Sequence, residues 1–334
     1  MALILVASFL VALIVSGLVR TVGILDHPNT RSNHSTPTPR SGGLGILAGF
    51  FIGSAMLSDL PPAAASALLA VLVVGAFSAL IGFVDDLFSL SGRLKLLLIS
   101  ALSLSLAAAI GPVTDLGFTL PWIVGLLGSA LWVFTTINAV NFMDGSDGIM
   151  AAALIPALLV LGLMGDGAFA ISSFALAAAI AGFAVWNIPV FGRRGSLFSG
   201  DVGSLGAASL FAGLALYWAV VSEPGSVWLV PLLIMPLLAD VLLTMAARFR
   251  AGRRLFVAHR AHAYQLLIRL GLGHGQVALI WGGLALGFGA LALLGHAGPF
   301  WMKPAVFVIG VAVSVGLHRH VRTKAREAGL DVTQ

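Results

Sequence analysis

Eleven apolar runs, each about as long as a bilayer requires, divide this chain. They fall near 2–19, 42–58, 65–84, 95–111, 119–137, 149–164, 168–186, 204–221, 227–247, 276–294 and 302–318. Between them the sequence turns polar and rich in Gly, Ser, Asn and Pro. The runs lack the polar/apolar alternation of a membrane barrel, and backbone groups must be paired internally in hydrocarbon. The pattern predicts an all-α, polytopic integral membrane protein of about eleven transmembrane helices, forming one domain over 1–334. No long internal repeat or soluble domain interrupts it.

Composition strengthens this picture. Hydrophobic residues make up 59% of the chain and charged residues 9%, with a mean hydropathy of +1.05. So few charges cannot cover a water-facing surface of this size, so lipid is the expected solvent. Without cysteine there is no thiolate nucleophile, Cys metal site or disulfide.

Charge then sets orientation. "MALILVASFLVALIVSGLVR" has no basic n-region and meets its first positive charge only at Arg20. It is expected to stay as an uncleaved helix that starts outside. Alternating from there puts 20–41, 85–94, 138–148, 187–203 and 248–275 inside, with a tail at 319–334. Of the eighteen Lys and Arg, Lys303 alone then falls outside. The positive-inside rule thus favours this count, a periplasmic N-terminus and a cytoplasmic C-terminus. The outer loops are plain, with one acid each at Asp59, Asp115, Asp166 and Glu223, whereas every His except His296 lies inside. A basic total in a membrane protein is read through this distribution, so nucleic acid is not an expected partner.

Five polar clusters sit on the inner face. In "LDHPNTRSNHSTPTPRSGGLGI", Arg31 and Arg40 with hydroxyls and Gly amides suit phosphate oxygens, or equally lipid head groups. In "GFVDDLFSLSGRLK", Asp85 and Asp86 repel each other, which favours a bound cation or a raised pKa. Adjacent helical residues diverge by about 100°, so one shared site calls for an unwound helix end. The plain alternative is pairing with Arg93 and Lys95. In "NAVNFMDGSDGIM", Asn138, Asn141, Asp144 and Asp147 recur every third residue, while Gly145 and Gly148 argue for a broken helix. No basic residue accompanies them, and the alternating ligands of an EF-hand are missing. In "WNIPVFGRRGSLFSGDVGSLG", glycines flank Asp201 ahead of a helix, a setting for an anion and Mg²⁺. In "RFRAGRRLFVAHRAHAYQLL", the i, i+3 pair His259 and His262 is a candidate for catalysis or phosphate binding, among basic residues that need be no more than topogenic. Asp240 lies inside the ninth run, an intramembrane acid and hence a functional candidate.

Unpaired Asp/Asn clusters and Arg/His/Gly loops on one face fit a divalent metal and a phosphate together. At the lipid boundary, that points to phosphoryl transfer onto a membrane acceptor. "DHPNTRSNHSTPTPRSGGLGI", "GFVDDLFSLSGRLK", "NAVNFMDGSDGI", "WNIPV…LFSGDVGSLG" and "HRAHAYQ" stand in the order found in a known group. The chain thereby resembles, over nearly its whole length, the polyprenyl-phosphate N-acetylhexosamine-1-phosphate transferase superfamily, glycosyltransferase family 4. That group includes phospho-MurNAc-pentapeptide translocase and the enzymes that initiate enterobacterial common antigen and O-antigen. The resemblance implies transfer of a sugar 1-phosphate from a UDP-sugar to undecaprenyl phosphate, with release of UMP. It implies Mg²⁺, with Mn²⁺ as a substitute.

Carried over, Asp85 or Asp86 would activate the lipid phosphate, with Asp85 favoured. Asn138, Asn141, Asp144 and Asp147 would surround nucleotide and metal, Asp201 with Asp86 would hold the metal, and Asn187 and Phe198 would lie near the uracil. Arg40 joins the substrate-binding set. His259, Arg260 and His262 depart from the three-His form of the peptidoglycan enzyme and are similar to the O-antigen-initiating branch. A UDP-N-acetylhexosamine, a 6-deoxy sugar among the options, is therefore expected as donor rather than UDP-MurNAc-pentapeptide. The expected setting is the bacterial inner membrane with a cytoplasmic-face site, among membrane lipid, with a homodimer as an option. A lipid-linked sugar transporter is the rival, but transporters place polar residues at mid-membrane between repeats.

Overall fold

The computed structural model describes residues 1–22, 24–26, 37–58, 60–189, 195–254 and 259–333. Arg31, Asp59, Arg193 and Arg194 therefore lie outside the described residues. Thirteen α-helices follow one another in the described residues: α1 Ala2–Val22, α2 Gly43–Ala55, α3 Pro62–Phe88, α4 Gly92–Ile110, α5 Trp122–Met143, α6 Ile149–Met164, α7 Gly167–Asn187, α8 Gly200–Val221, α9 Val230–Leu233, α10 Met235–Arg250, α11 Ala263–Arg269, α12 His274–Ala297 and α13 Met302–Glu327. A short antiparallel pair, β1 (Leu25–Asp26) and β2 (Thr38–Pro39), brings Leu25 opposite Pro39.

Each of the eleven apolar runs is helical. Eight helices are long and apolar enough to cross a membrane, and the segment Ser226–Leu233 with Met235–Arg250 makes a ninth if counted as one span. That segment bends by 81°. Its cause is local, since Pro236 lacks the N–H that a continuous helix would bond to the Leu232 carbonyl across Ile234. Two runs are short: α2 has 13 residues, about 20 Å at 1.5 Å per residue, and α6 has 16.

The core is organised on α8, most of whose residues are buried. Close approach is allowed by small residues, as in lipid-embedded bundles generally. A methyl group added at Gly43 of α2 would run into Gly203 of α8, and one at Gly82 of α3 into the Asp201 carbonyl. These two contacts decide the site. They bring the end of α3, with Asp85 and Asp86, against the start of α8, with Asp201.

Element ends differ from expectation in instructive ways. Helix α3 runs through both aspartates to Phe88 and stops at Ser89, whose φ is +52° and whose N–H bonds to the Asp85 carbonyl. The acids therefore stay on helical geometry rather than unwinding toward one point. Helix α5 does break in the "DGSDG" turn, where Gly148 takes φ +79°. The inner segment 248–275 is not all loop, for it folds α11 inside it.

Candidate active site at the inner helix ends

A cavity of about 310 Å³ opens where α3, α5, α8 and α12 end or begin, and five carboxylates line it: Asp26, Asp86, Asp144, Asp147 and Asp201. Arg40, Asn141, Asn187 and Phe198 also face it. Among the described residues, Asp85, Asn138, His259, Arg260 and His262 do not line it.

Two linked networks build the walls. In the first, the carboxylate of Asp86 accepts from the Ser41 hydroxyl at 3.2 Å and from the Asp201 backbone N–H at 3.2 Å. Arg40 lies 3.8 Å from the same carboxylate and donates to the Asp86 carbonyl. Gly200 is required here, since its φ is +68° and a Cβ would collide with the Asp86 carboxylate. One residue earlier, Asp85 faces elsewhere: it pairs with Lys95 Nζ at 2.9 Å and accepts from the Leu90 N–H at 2.6 Å. The 100° step between neighbours on a helix explains the split.

Lys95, in the first turn of α4, also bonds Asp201 and reaches the Asn141 side-chain oxygen at 3.5 Å. Asn141 then donates to Asp201 at 3.0 Å and to the Ser204 hydroxyl at 2.8 Å. Asn138, one helical turn back, donates to the Phe134 carbonyl of its own helix at 2.8 Å.

The second network is the "DGSDG" turn and its supports. Asp147 accepts from the Gly195 N–H at 3.0 Å. Asn187 accepts from the Gly148 N–H at 2.8 Å and donates to the Leu197 carbonyl at 3.0 Å. Phe198 is fixed through its backbone, donating to the Pro39 carbonyl at 2.8 Å and accepting from the Gly42 N–H at 2.9 Å. Asp144 joins the two networks by accepting from the Ser199 hydroxyl. Burial, reinforced by the negative charges of Asp201, Asp147 and Asp86, pushes its carboxyl up to about 8, against the opposing Ser199 hydrogen bond.

The histidine motif lies behind this wall. His262 Nδ1 is 3.5 Å from Asp240 and 5% of the residue is exposed. His259 stacks beside it, ring centres 4.9 Å apart, and burial, then the neighbouring charges of His262 and Arg248, bring its pKa down to about 4. The Arg260 carbonyl accepts from Arg269 at 3.3 Å. What the segment sends forward is Tyr264 and Gln265, both on the cavity wall, with the fully buried Tyr264 hydroxyl pressed on Gly145. Burial raises the Tyr264 pKa above its ordinary value.

Lining or bridging residues that were not among the sequence candidates include Asp26, Lys95, Ser146, Ser199, Ser204, Tyr264, Gln265 and His274. Lys95 had registered only as a counter-charge. His274 had one visible cue, a histidine between glycines in "GLGHG" at the inner edge of an apolar run. The donors facing the cavity's acidic end are oxygens, a hard set suited to Mg²⁺ or Mn²⁺. Among the described residues no three acidic or His side chains form a ready cation cage. That is normal for Mg²⁺, which takes one or two carboxylates and completes its shell with water and substrate phosphate.

Comparison with known proteins defines the class first. The model for glycosyl transferase family 4 matches residues 68–219. The decaprenyl-phosphate N-acetylglucosaminephosphotransferase of Mycobacterium tuberculosis (strain CDC 1551 / Oshkosh) is 30% identical, with 90% of this chain and 84% of the relative covered. The undecaprenyl-phosphate alpha-N-acetylglucosaminyl 1-phosphate transferase of Escherichia coli (strain K12) is 27% identical, covering 87% and 82%. The chain belongs to the polyprenyl-phosphate N-acetylhexosamine-1-phosphate transferase superfamily.

Proposed function

We propose that this protein transfers a sugar 1-phosphate from a UDP-N-acetylhexosamine to undecaprenyl phosphate, releasing UMP. The observation that carries the reading is the cavity itself: five carboxylates with Lys95 and Arg40 beside them, gathered at one end of an apolar bundle. A diphosphate cannot enter so acidic a space without added positive charge. Asp201 and Asp86 would hold Mg²⁺, which supplies charge neutralisation of the diphosphate. Arg40 and Lys95 would take further phosphate oxygens. Either an oxygen of the lipid phosphate attacks the donor β-phosphorus directly, or an aspartate does so first and the lipid phosphate then displaces that aspartate; in both routes the bond to the UMP oxygen breaks and UMP leaves with the electron pair. Positioning and electrostatics carry most of such catalysis. Asp85 faces Lys95 instead of the cavity, and so acts by orienting that lysine.

The lipid acceptor suits a site at the helix ends, and the product, a sugar on polyprenyl diphosphate, suits the first membrane step of O-antigen or another envelope polysaccharide. The relatives' names, which specify N-acetylglucosamine, favour that hexosamine over a MurNAc-pentapeptide. We read all eleven apolar helices as membrane elements of the bacterial inner membrane, with α2 and α6 as short spans and the cavity on the cytoplasmic face. Because the chain has no cysteine, single Thr114→Cys and Ala251→Cys variants test this directly. An impermeant maleimide should label the first in intact cells and the second only in broken ones; the reverse pattern inverts the topology.

The activity test uses purified protein in detergent, Mg²⁺, undecaprenyl phosphate and a panel of UDP-sugars including UDP-MurNAc-pentapeptide. UMP release with an N-acetylhexosamine donor is expected, and Asp201→Asn should lower it roughly a hundredfold or more. No release with any donor, or full release from the variant, refutes the reading.

A further inference from the structure

The cavity has two chemically different ends. Its cations, Lys95 and Arg40, belong to the network of Asp86, Asp201 and Asn141. Around Asp147, Asn187 and the 145–148 turn, the wall has no Lys or Arg among the described residues, but it has His274. The two cations suit the first end to phosphates, which leaves the neutral parts of a nucleotide sugar to extend toward His274.

His274 is the first residue of α12 and its side chain is 19% exposed. Nδ1 lies 3.0 Å from the Ser146 hydroxyl and 3.3 Å from the Asp147 backbone nitrogen, with the Asp147 carboxylate at 4.0 Å. A backbone N–H can only donate, so Nδ1 is the acceptor and carries no proton. The neutral ring then has its proton on Nε2. Among the described residues Nε2 has no hydrogen-bond partner, while the ring lines the cavity. One edge of the imidazole thus fixes the "DGSDG" turn, and the other offers a fixed N–H donor.

We infer that His274 is a substrate-binding residue that donates from Nε2 to an uncharged oxygen of the nucleotide sugar, on its nucleoside or its hexosamine. This rests on the transferase reading above and adds a contact to it.

The variants separate the two ring edges. Asn places an amide near the Nδ1 position and can still hold the turn; Gln reaches toward the Nε2 position with an N–H. His274→Asn should raise the KM for UDP-N-acetylglucosamine roughly tenfold, with kcat within about twofold, and His274→Gln should recover to within about threefold of the wild type. UMP binding by calorimetry assigns the source. A parallel loss in UMP affinity places the contact on the nucleoside, and unchanged UMP affinity with a raised KM places it on the sugar. A wild-type KM in His274→Asn, or a loss confined to kcat in both variants, overturns the inference. Should His274→Asn fail to fold, the similarly sized pair His274→Gln and His274→Met carries the test. Met lacks the donor, so its KM should lie roughly tenfold above that of Gln, and equal KM values overturn the inference. If the wild type itself releases no UMP, the transferase reading fails; if it does and His274→Asn is normal, only the His274 assignment fails.

Discussion

Two buried acidic settings meet the first turn of α11, and they are built in opposite ways. Asp240, in the bent ninth run, accepts from the Ala263 N–H at 2.8 Å, the Tyr264 N–H at 3.2 Å and the Thr244 hydroxyl at 3.1 Å, with His262 at 3.5 Å. The chain itself fills this carboxylate's lone pairs. On the cavity side, Asp201 shares its one lysine with Asp85 behind the wall, and Asp144 is held near 8 among other acids. An intramembrane acid is a functional candidate by default, but saturation by backbone donors marks Asp240 as a structural clamp that sets α11, and with it Tyr264, against the "DGSDG" turn. Clustered acids short of counter-charge are what a cation and a diphosphate would complete.

The largest effect that tests this contrast falls on the cavity side. Lys95→Met should reduce UMP release by roughly a hundredfold, on the scale of losing one preorganised charge at a reacting phosphate, while the protein still purifies as a folded species. A rate within threefold of wild type would make Lys95 a mere counter-ion. On the other side, Asp240→Asn keeps the shape but turns an acceptor of backbone N–H groups into a group that is half donor. It should cost roughly 2 kcal/mol and lower the thermal midpoint in detergent by about 5 °C. kcat of the folded enzyme should fall less than tenfold. The contrast collapses if Asp240→Asn is as stable as wild type yet inactive.

How much of this was legible in the chain depends on the range of the interaction. Each apolar run became a helix because hydrophobic length is a local property, and the break at Gly145–Gly148 was local too. Pro236 marked the bend at Ile234 but not its angle. Side-chain direction was the weaker inference. A spacing of three put Asn138 with Asn141, yet drift along the helix leaves Asn138 bonded to its own turn while Asn141 reaches α8. The adjacency of Asp85 and Asp86 suggested one shared site, and an intact helix divides them. Lys95 meets Asp201 across 106 positions, through small-residue contacts between α3 and α8 that no periodicity displays. The histidines show the same limit: His259 and His262 form the conspicuous motif, whereas the ring on the cavity is the isolated His274.

The smallest effect is the sharpest test of the clamp. Thr244 donates to Asp240 and its hydroxyl lies 3.1 Å from His318 Nε2, so one oxygen joins α10 to α13. Thr244→Val keeps the β-branched shape and removes that oxygen, while Asp240 keeps its two backbone donors. The expected loss is about 1 kcal/mol, a few degrees or less in thermal midpoint, with KM and kcat unchanged. A kinetic effect without a stability effect would mean that the Asp240–Thr244–His318 chain serves the reaction, and the distinction between the two acidic settings would have to be abandoned.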